Sequence, residues 1–201
     1  IIKVSDVADR GLEQSPPADT EEADAKIKDY DAALSPARKE KADAIKSRSS
    51  RRQSMCAGHL LEDMLRVRGL SAPFSYGMSE RGKPFLEDVQ FSLSHCKGWC
   101  ACIGADQMVG VDVEMLGRYR DSLCRRFFTE AEQVFLQKTT EADFYFTLLW
   151  TCKEALAKCL DIALTEVCQN CNMRPRLQTL KTKPSQGMHG LGNLTYGGYD
   201  I

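Results

Sequence analysis

The stretch "FSLSHCKGWCACIGADQMVGVDVEML", residues Phe91 to Leu116, combines apolar strand patterns with two acids set one residue apart. Its first part, "FSLSHCKGWCACIGA", predicts two buried strands joined by a turn at Lys97-Gly98. The valine-rich part that follows, "MVGVDVEML", predicts a further strand. Side chains alternate across a strand, so Asp112 and Glu114 would share one face, with the valines on the other. Such a pair is explained by an exposed polar face on a half-buried strand. A functional site that uses the two carboxylates would explain it as well.

The overall charge and hydropathy of the chain exclude several classes of function. The 201 residues contain 27 Lys and Arg against 28 Asp and Glu, a net charge of -1. This balance gives no global attraction to nucleic acid or to a membrane surface. No apolar run approaches the roughly 20 residues that span a bilayer, and no signal-peptide pattern is present. We therefore expect a soluble cytoplasmic protein. The chain does not begin with Met, which leaves its true start open.

The cysteines predict free thiols and no disulfide framework. Their number, nine, is odd, and they lie within ordinary helix and strand patterns. Cys168 and Cys171 form a C-x-x-C that could bind zinc or act in redox chemistry. Since no second such pair occurs, thiols in a reducing compartment are the preferred interpretation.

The pattern before residue 90 predicts a strand, a loop and a long helix. "IIKVSDVA" at residues 1–8 alternates like a strand, and the polar, Pro-containing residues after it predict a loop that leads into a helix. From Ser35 to Gly69, a basic turn precedes a long amphipathic helix that ends at Gly69. "YGMSERGKPFLED" predicts a loop.

The second half of the chain predicts two helices and a weakly patterned end. Apolar spacing indicates helices from Phe127 to Gln137 and from Glu141 to Leu160. The residues from "RPRLQ" to the end predict two or three edge strands or a tail. A strand, helix and hairpin block thus occurs before and after about Gly117, which indicates two similar α+β lobes.

The helix motif "LLWTCKEALAKCL" supplies a third acid. Trp150, Glu154 and Lys158 are spaced i, i+4, i+8 and share one helix face. A common surface Glu-Lys pair is the alternative, and Lys153 fits that role better than Glu154 does. Together with the two acids of the valine-rich segment, Glu154 would complete an oxygen site suited to Mg²⁺, which phosphates often complete. Cations for those phosphates are available at Arg38, Lys41, Lys83, His95 and Lys158.

Six motifs in order along the chain resemble those of the Sfp-type 4′-phosphopantetheinyl transferases. They are "SPARKEK", "RRQSMCAGHLL", "GKPFL", "FSLSH", "GVDVE" and "WTCKEALAK". The resemblance implies an α+β pseudo-dimer with lobes at residues 1–116 and 117–201. Each lobe would be a small antiparallel sheet packed on a long helix, with the active site at the lobe interface. The resemblance leaves open whether the C-terminal lobe is complete.

The resemblance also implies a reaction. The 4′-phosphopantetheine group of coenzyme A would pass to a serine of an apo acyl or peptidyl carrier protein, with release of 3′,5′-ADP. Mg²⁺, or Mn²⁺ in its place, would be held by Asp112, Glu114 and Glu154. Glu154 would be the base and Lys158 would neutralise the leaving group, so the implied catalytic residues are Glu154, Lys158 and Asp112. The implied coenzyme A residues are Arg38, Lys41, Ser54, Lys83, Ser94 and His95. A monomer is expected, with no nucleic-acid or membrane partner.

Two rival functions and one partner surface complete the expectations. A metal-dependent phosphohydrolase would use the same acids to activate water, and a non-catalytic coenzyme A or carrier-binding module would need no base. The stretch "MLGRYRDSLCRRFFTEAEQVF" brings Arg118, Arg120, Arg125 and Arg126 near Phe127 and Phe128. It could dock an acidic carrier, or it could be an amphipathic helix with its phenylalanines in the core.

Overall fold

A computed structural model describes residues 34–177, with the side chains of Gln169, Arg176 and Leu177 excepted. It also describes, as backbone only, three short strand segments at 10–14, 195–196 and 199–200. The strand predicted at residues 1–8 and most of the loop and helix predicted before residue 34 lie outside these ranges.

Helices and small antiparallel sheets make up the described chain, which confirms the predicted α+β class. The described residues divide between Gln107 and Met108 into two units, called here the amino-terminal and carboxy-terminal units. The two similar lobes divided at Gly117 stay a prediction.

The basic segment of the amino-terminal unit forms its own helix. Helix α1 spans Pro36–Asp43 and helix α2 spans Arg48–Val67, so the predicted turn followed by one helix is wrong. Proline at the first helical position begins α1, and the Ser47 side chain caps α2 by accepting from the backbone N–H three residues later. These two start signals separate the helices. Gly69, with φ +84°, ends α2 as predicted.

A three-stranded antiparallel sheet packs against α2. Strands β4 (Gln90–Cys96) and β5 (Trp99–Ala105) form the predicted hairpin, whose turn residue Gly98 has φ +85°. Strand β1 (Arg10–Gln14) pairs with the other edge of β5. We expected a loop there, because a five-residue segment with a glycine and two charges has weak strand propensity. Its pairing with β5 overrides that propensity.

The remaining strands of this unit are short, and the core lies between helix and sheet. Strands β2 (Gly77–Met78) and β3 (Pro84–Phe85) pair within the segment predicted as a loop. The core between α2 and the β4–β5 hairpin is formed by apolar side chains and cysteines, among them Leu61, Met64, Leu65, Phe91 and Cys102.

The carboxy-terminal unit is mainly helical. Its helices are α3 (Asp121–Phe127), α4 (Glu130–Lys138), α5 (Ala142–Leu160), α6 (Leu164–Asn170) and α7 (Arg174–Leu177). The two predicted helices are confirmed as α4 and α5, whereas Phe127 belongs to α3. A capping box between Thr129 and Glu132 begins α4 and so separates it from α3. The buried core includes Leu136, Phe146, Leu149, Leu156 and Val167.

The end of the chain differs in part from the predicted strands. Helix α7 occupies the beginning of the stretch for which edge strands were predicted. Two-residue strands β6 (Thr195–Tyr196) and β7 (Tyr199–Asp200) do pair antiparallel farther on. Residues 178–194 lie outside the described ranges.

The thiols and the hydropathy of the helices agree with the sequence. All nine cysteines are free, as predicted. Within the described ranges, none of the helices has the length and apolar character needed to cross a membrane.

Candidate active site

The segment that carries the paired acids is held against helix α5 by a glycine. Residues 108–115 form no strand within the described part of the chain, so the strand prediction is not met there. A valine-rich pattern indicates burial. It does not show that a neighbouring strand is present with which the segment could pair. A Cβ built on Gly110 would collide with the carbonyl oxygen of Ala155, which shows that the two backbones touch. This contact places Asp112 beside the face of α5 that carries Glu154 and Lys158.

Asp112, Glu154 and Lys158 form one charged cluster. Lys158 Nζ lies 2.6 Å from Asp112 Oδ1 and 3.8 Å from Glu154 Oε2. The Asp112 side chain is only 3% exposed, whereas those of Lys158 and Glu154 are 31% and 26% exposed. The predicted neighbours therefore meet, and two of them remain accessible to a substrate. In the predicted strand, Val111 and Asp112 would point to opposite faces, one buried and one exposed. In the structure both side chains are shielded from solvent.

Glu154 lies in an environment that strengthens it as a base. Burial raises the pKa of Glu154 most, and the negative charges of Asp112 and Glu114 raise this pKa further. Lys158 acts in the opposite direction. A carboxylate whose pKa is raised toward neutrality takes a proton more readily than an ordinary surface carboxylate.

Glu114 is paired with a cation of its own. Arg118, four residues later, donates to Glu114 Oε1 through Nη1. The Arg118 guanidinium also lies over the Trp150 ring, 5.7 Å from its centroid. One arginine thus links the acid segment to the start of the "WTCKEALAK" motif.

The donor chemistry of the three acids fits Mg²⁺, although they do not form a closed site. Carboxylate oxygens are the ligands this ion prefers, and the charges of Asp112 and Glu114 both raise the pKa of Glu154. Within the described ranges, however, no three acidic, histidine or cysteine side chains are close enough to hold an ion. Asp112 contacts Lys158 and Glu114 contacts Arg118 instead. The predicted metal site stays a prediction.

Lys153 is a buried structural residue, which corrects its expected place on the surface. Its side chain is 0% exposed and lies 2.9 Å from Glu132, which is equally buried. Lys153 Nζ also donates to the carbonyl oxygens of Cys168 and Cys171. Glu132 accepts in turn from the backbone N–H of Met173. The pair therefore joins α4, α5 and the end of α6, where Cys168 and Cys171 offer their carbonyl oxygens.

Sequence reasoning missed Glu132, although a signal for it was available. "TEAE" at residues 129–132 matches the Ser/Thr-x-x-Glu capping-box pattern. Glu132 Oε2 accepts from the backbone N–H of Thr129, as the pattern predicts. Its second role, as the partner of Lys153, has no local signal because the two residues lie on different helices.

Three of the predicted coenzyme A residues lie together in the amino-terminal unit. Arg38 Nη2 donates to the carbonyl oxygen of Ser54 at 3.2 Å. Lys41 follows Arg38 by one turn of α1 and is exposed. Burial lowers the pKa of Lys41 most, and the positive charge of Arg38 lowers this pKa further.

His95 belongs to the same neighbourhood, whereas Ser94 lies on the other face of β4 and Lys83 lies between β2 and β3. The β4–β5 register sets His95 opposite Cys100, whose Sγ donates to the carbonyl oxygen of Gln53, the neighbour of Ser54. Ser94 is buried on the opposite face of β4, since side chains alternate along a strand. Lys83 lies in the β2–β3 connection, where its N–H bonds to Ser79. Their roles toward coenzyme A stay predictions.

Comparison with known proteins finds a similarity to one family over part of the chain. Residues 108–192 match the model of the 4′-phosphopantetheinyl transferase superfamily. The chain is 30% identical over 110 residues to a 4′-phosphopantetheinyl transferase, gsp, of Aneurinibacillus migulanus, covering 51% of the chain and 46% of that relative. It is 33% identical over 92 residues to a 4′-phosphopantetheinyl transferase of Bacillus subtilis, covering 43% of the chain and 41% of that relative.

A third relative extends this agreement. The 4′-phosphopantetheinyl transferase psf-1 of Bacillus pumilus is 32% identical over 82 residues, which are 38% of the chain and 35% of that protein. The aligned part of the chain thus spans less than half the length of each of these curated relatives. The family match begins at residue 108 and includes all of α5, so two of the six motifs that carried the sequence resemblance, "GVDVE" and "WTCKEALAK", lie inside it. Over residues 108–192 and over the stretches aligned with these relatives, the chain is similar to the 4′-phosphopantetheinyl transferase superfamily.

Proposed function

We propose that this chain transfers the 4′-phosphopantetheine group of coenzyme A to a serine of an apo acyl or peptidyl carrier protein and releases 3′,5′-ADP. The observation that carries the proposal is the Asp112–Lys158–Glu154 cluster, in which a buried acid fixes a lysine 3.8 Å from a second, accessible acid. A base and a cation held side by side suit the transfer of a phosphoryl-linked group to a hydroxyl. A module that only binds coenzyme A has no use for such a pair.

Glu154 and Lys158 have distinct roles in this reaction. Glu154 takes the proton of the acceptor serine, and the serine oxygen forms a bond to the β-phosphorus of coenzyme A. The bond from that phosphorus to the bridging oxygen breaks, and its electron pair leaves with 3′,5′-ADP. Lys158 neutralises the negative charge that develops on this leaving oxygen. Asp112 keeps the Lys158 ammonium in position through the 2.6 Å contact.

Asp112, Glu114 and Glu154 would hold Mg²⁺, with Mn²⁺ as a substitute. When bound, the ion would neutralise and orient the pyrophosphate of coenzyme A. For Glu114 this role means giving up its present partner, Arg118. Asp112 would keep Lys158 on Oδ1 and offer its second carboxylate oxygen to the ion. The Mg²⁺ dependence, the two-lobed pseudo-dimer and the placement of coenzyme A at the interface of the lobes are parts of the proposal.

Mass spectrometry of apo carrier proteins tests the reaction class. The full chain is incubated with coenzyme A, Mg²⁺ and one of several apo acyl or peptidyl carriers. The expected result is a gain of one phosphopantetheine on the carrier and an equal amount of 3′,5′-ADP. A phosphohydrolase would instead degrade coenzyme A without a carrier. Nucleotide release that is independent of the carrier would therefore replace the transferase proposal with the hydrolase.

The proposed carrier surface is an arginine patch, formed by Arg118, Arg120, Arg125 and Arg126, with two apolar residues beside it. All four arginines are exposed, and so are Met115 and Leu116, at 44% and 61%. Phe128 is buried in the core and Phe127 packs on Trp150, as the alternative amphipathic helix predicted. The basic and apolar groups together suit an acidic helical carrier.

Charge reversal in the arginine patch should weaken carrier docking in a salt-dependent way. Arg118 is unsuitable because it pairs with Glu114, so the variant is Arg120→Glu with Arg125→Glu. We expect the KM for the carrier to rise roughly three- to tenfold at low salt and to vary less with ionic strength, because long-range attraction is lost. The affinity for coenzyme A should not change.

A matched variant separates docking from net charge. Arg81→Glu with Lys138→Glu makes the same change at two exposed residues outside the patch. This control should leave the carrier KM close to that of the wild type. Equal effects of the two double variants across a salt series would contradict the arginine patch as the docking surface.

A further inference from the structure

Residues 117–119, called here the anchored segment, follow the acid segment and are attached to the first turn of α5. Asp143 lies in that turn, and both of its carboxylate oxygens accept from backbone N–H groups of the anchored segment. Oδ2 is 2.6 Å from the nitrogen of Gly117, and Oδ1 is 3.0 Å from the nitrogen of Tyr119. Hydrogen bonds to an ionised acceptor are about twice as strong as neutral ones. Asp143 thus holds the residues on either side of Arg118.

The anchored segment depends on its glycine and packs on the same helix. Gly117 has φ +95°, a left-handed conformation that a residue with a side chain adopts only at a cost. Beyond its chain neighbours, no described atom lies within 4 Å of the place where a Cβ on Gly117 would be, so the backbone conformation is what requires glycine. The ring of Tyr119 packs edge to face with that of Phe146 on α5, with centroids 5.5 Å apart. Backbone and side chain of the segment are therefore both fixed to α5.

Arg118 lies between the two anchored residues and reaches back to the acid segment. Its guanidinium pairs with Glu114 and lies over the Trp150 ring. The Arg118 side chain is 47% exposed, so packing in the core does not fix its direction. Ordering a long, exposed side chain costs conformational entropy. A backbone that is held on both sides of Arg118 reduces the freedom that remains to be lost when these contacts form.

The acid segment is attached to α5 at two places. Gly110 touches the carbonyl oxygen of Ala155, and the anchored segment meets Asp143 near the start of the same helix. The twelve helical steps from Asp143 to Ala155 rise by about 18 Å. The seven chain steps from Gly110 to Gly117 span at most about 25 Å when fully extended. The two acids of the segment therefore lie on a stretch of chain with little slack between two fixed points.

We infer that Asp143 is a positioning residue: its carboxylate fixes the anchored segment so that Arg118 holds Glu114 in place, and the acid segment is attached to α5 at both ends. The consequence of this for turnover rests on the proposed function, whereas the anchoring of Arg118 does not. Asp143 and Gly117 lie outside all six motifs that carried the sequence resemblance. Their role follows from the contacts of the anchored segment.

The fluorescence of Trp150 reports the position of Arg118 without any ligand. The chain has two tryptophans, so Trp99→Phe leaves Trp150 as the remaining one. Trp150 is 9% exposed, and Arg118 covers one face of its ring. Loss of that cover should roughly double the quenching by neutral acrylamide and shift the emission to longer wavelength. Arg118→Met in the Trp99→Phe background sets the size of the full effect.

Asp143→Asn and Gly117→Ala test the anchor from its two sides. Asparagine offers one acceptor oxygen and turns an NH2 group toward the second backbone N–H. Alanine strains the backbone at position 117 and leaves every charge and α5 itself unchanged, so it tests the anchor even if Asp143→Asn does not fold. Each variant should show roughly half or more of the quenching increase of Arg118→Met, and the Asp143→Asn Arg118→Met double variant should not exceed Arg118→Met, because Asp143 acts through Arg118.

Two matched controls separate the anchor from general effects of charge and strain. Glu141→Gln removes one negative charge at the start of the same helix. Gly69→Ala introduces a methyl group at another glycine with positive φ, +84°, where a Cβ would likewise meet no described atom within 4 Å. Neither control should change the quenching of Trp150 or the turnover.

Turnover at saturating carrier and coenzyme A gives the functional half of the test. Asp143→Asn and Gly117→Ala should lower it roughly three- to tenfold, because Glu114 loses its fixed place. Wild-type quenching in both variants, or a double variant that exceeds Arg118→Met, would overturn the anchor. Wild-type turnover in variants that do show increased quenching would overturn the positioning role. A wild-type chain that modifies no carrier would refute the proposed function, while the quenching data would still decide on the anchor.

Discussion

Replacing Glu154 with glutamine should lower the turnover of apo carrier by on the order of 10²-fold or more. The amide keeps the size of the side chain and removes its ability to take the serine proton. It also removes one of the three carboxylates proposed for Mg²⁺. Turnover is measured as holo-carrier formed over time by mass spectrometry, with carrier and coenzyme A both saturating. Because Glu154 is partly exposed, we expect the unfolding midpoint to stay close to that of the wild type.

Metal removal and a second substitution distinguish the parts of this prediction. A chelator should abolish the activity of the wild type, and added Mg²⁺ or Mn²⁺ should restore it. Glu166→Gln, at an exposed acid on α6, is a control for the loss of one negative charge in the same unit and should keep wild-type turnover. Full activity of chelator-treated, metal-free protein would contradict the metal role, and full activity of Glu154→Gln would contradict the base.

The helix that carries Glu154 was predictable from the sequence, whereas its surroundings were not. Helical periodicity can be read from residues that are close in sequence. Trp150, Glu154 and Lys158 could therefore be placed on one face of α5 before the structure was known. The burial of Lys153 depends on Glu132 from another helix, and no local pattern reports such a pairing. Strand β1 was predicted as a loop for the same reason, because its partner strand β5 lies far along the chain.

The acid segment shows a different limit of sequence patterns. Its valines indicated burial, which the structure shows for Val111, and this burial was interpreted as a strand. The position of the segment depends instead on the contact of Gly110 with the α5 backbone. The glycine was visible in the motif "GVDVE", but the reason for it appears only when α5 is in place.

Substituting alanine for Gly110 should therefore impair both stability and activity. The φ angle of Gly110 lies outside the left-handed region, so the constraint is the space for a side chain and not the backbone conformation. A methyl group there meets the Ala155 carbonyl oxygen, which belongs to the backbone of a buried helix and cannot move as a side chain would. Overpacking of this kind costs about 1–3 kcal/mol, which for a chain of this size corresponds to a decrease of roughly 2–12 °C in Tm.

The effect on turnover should be larger than the loss of stability explains. When the segment moves away from α5, Asp112 moves away from Lys158, and misplacement of a catalytic group by about 1 Å can cost on the order of 10²-fold in rate. Turnover is therefore measured well below the Tm of the variant, where the folded fraction is close to one. Gly104→Ala is the matched control, because Gly104 is also buried but its new methyl group would meet the flexible end of the Met64 side chain. If Gly110→Ala is no more harmful than Gly104→Ala in either measurement, the contact between this segment and α5 does not position Asp112.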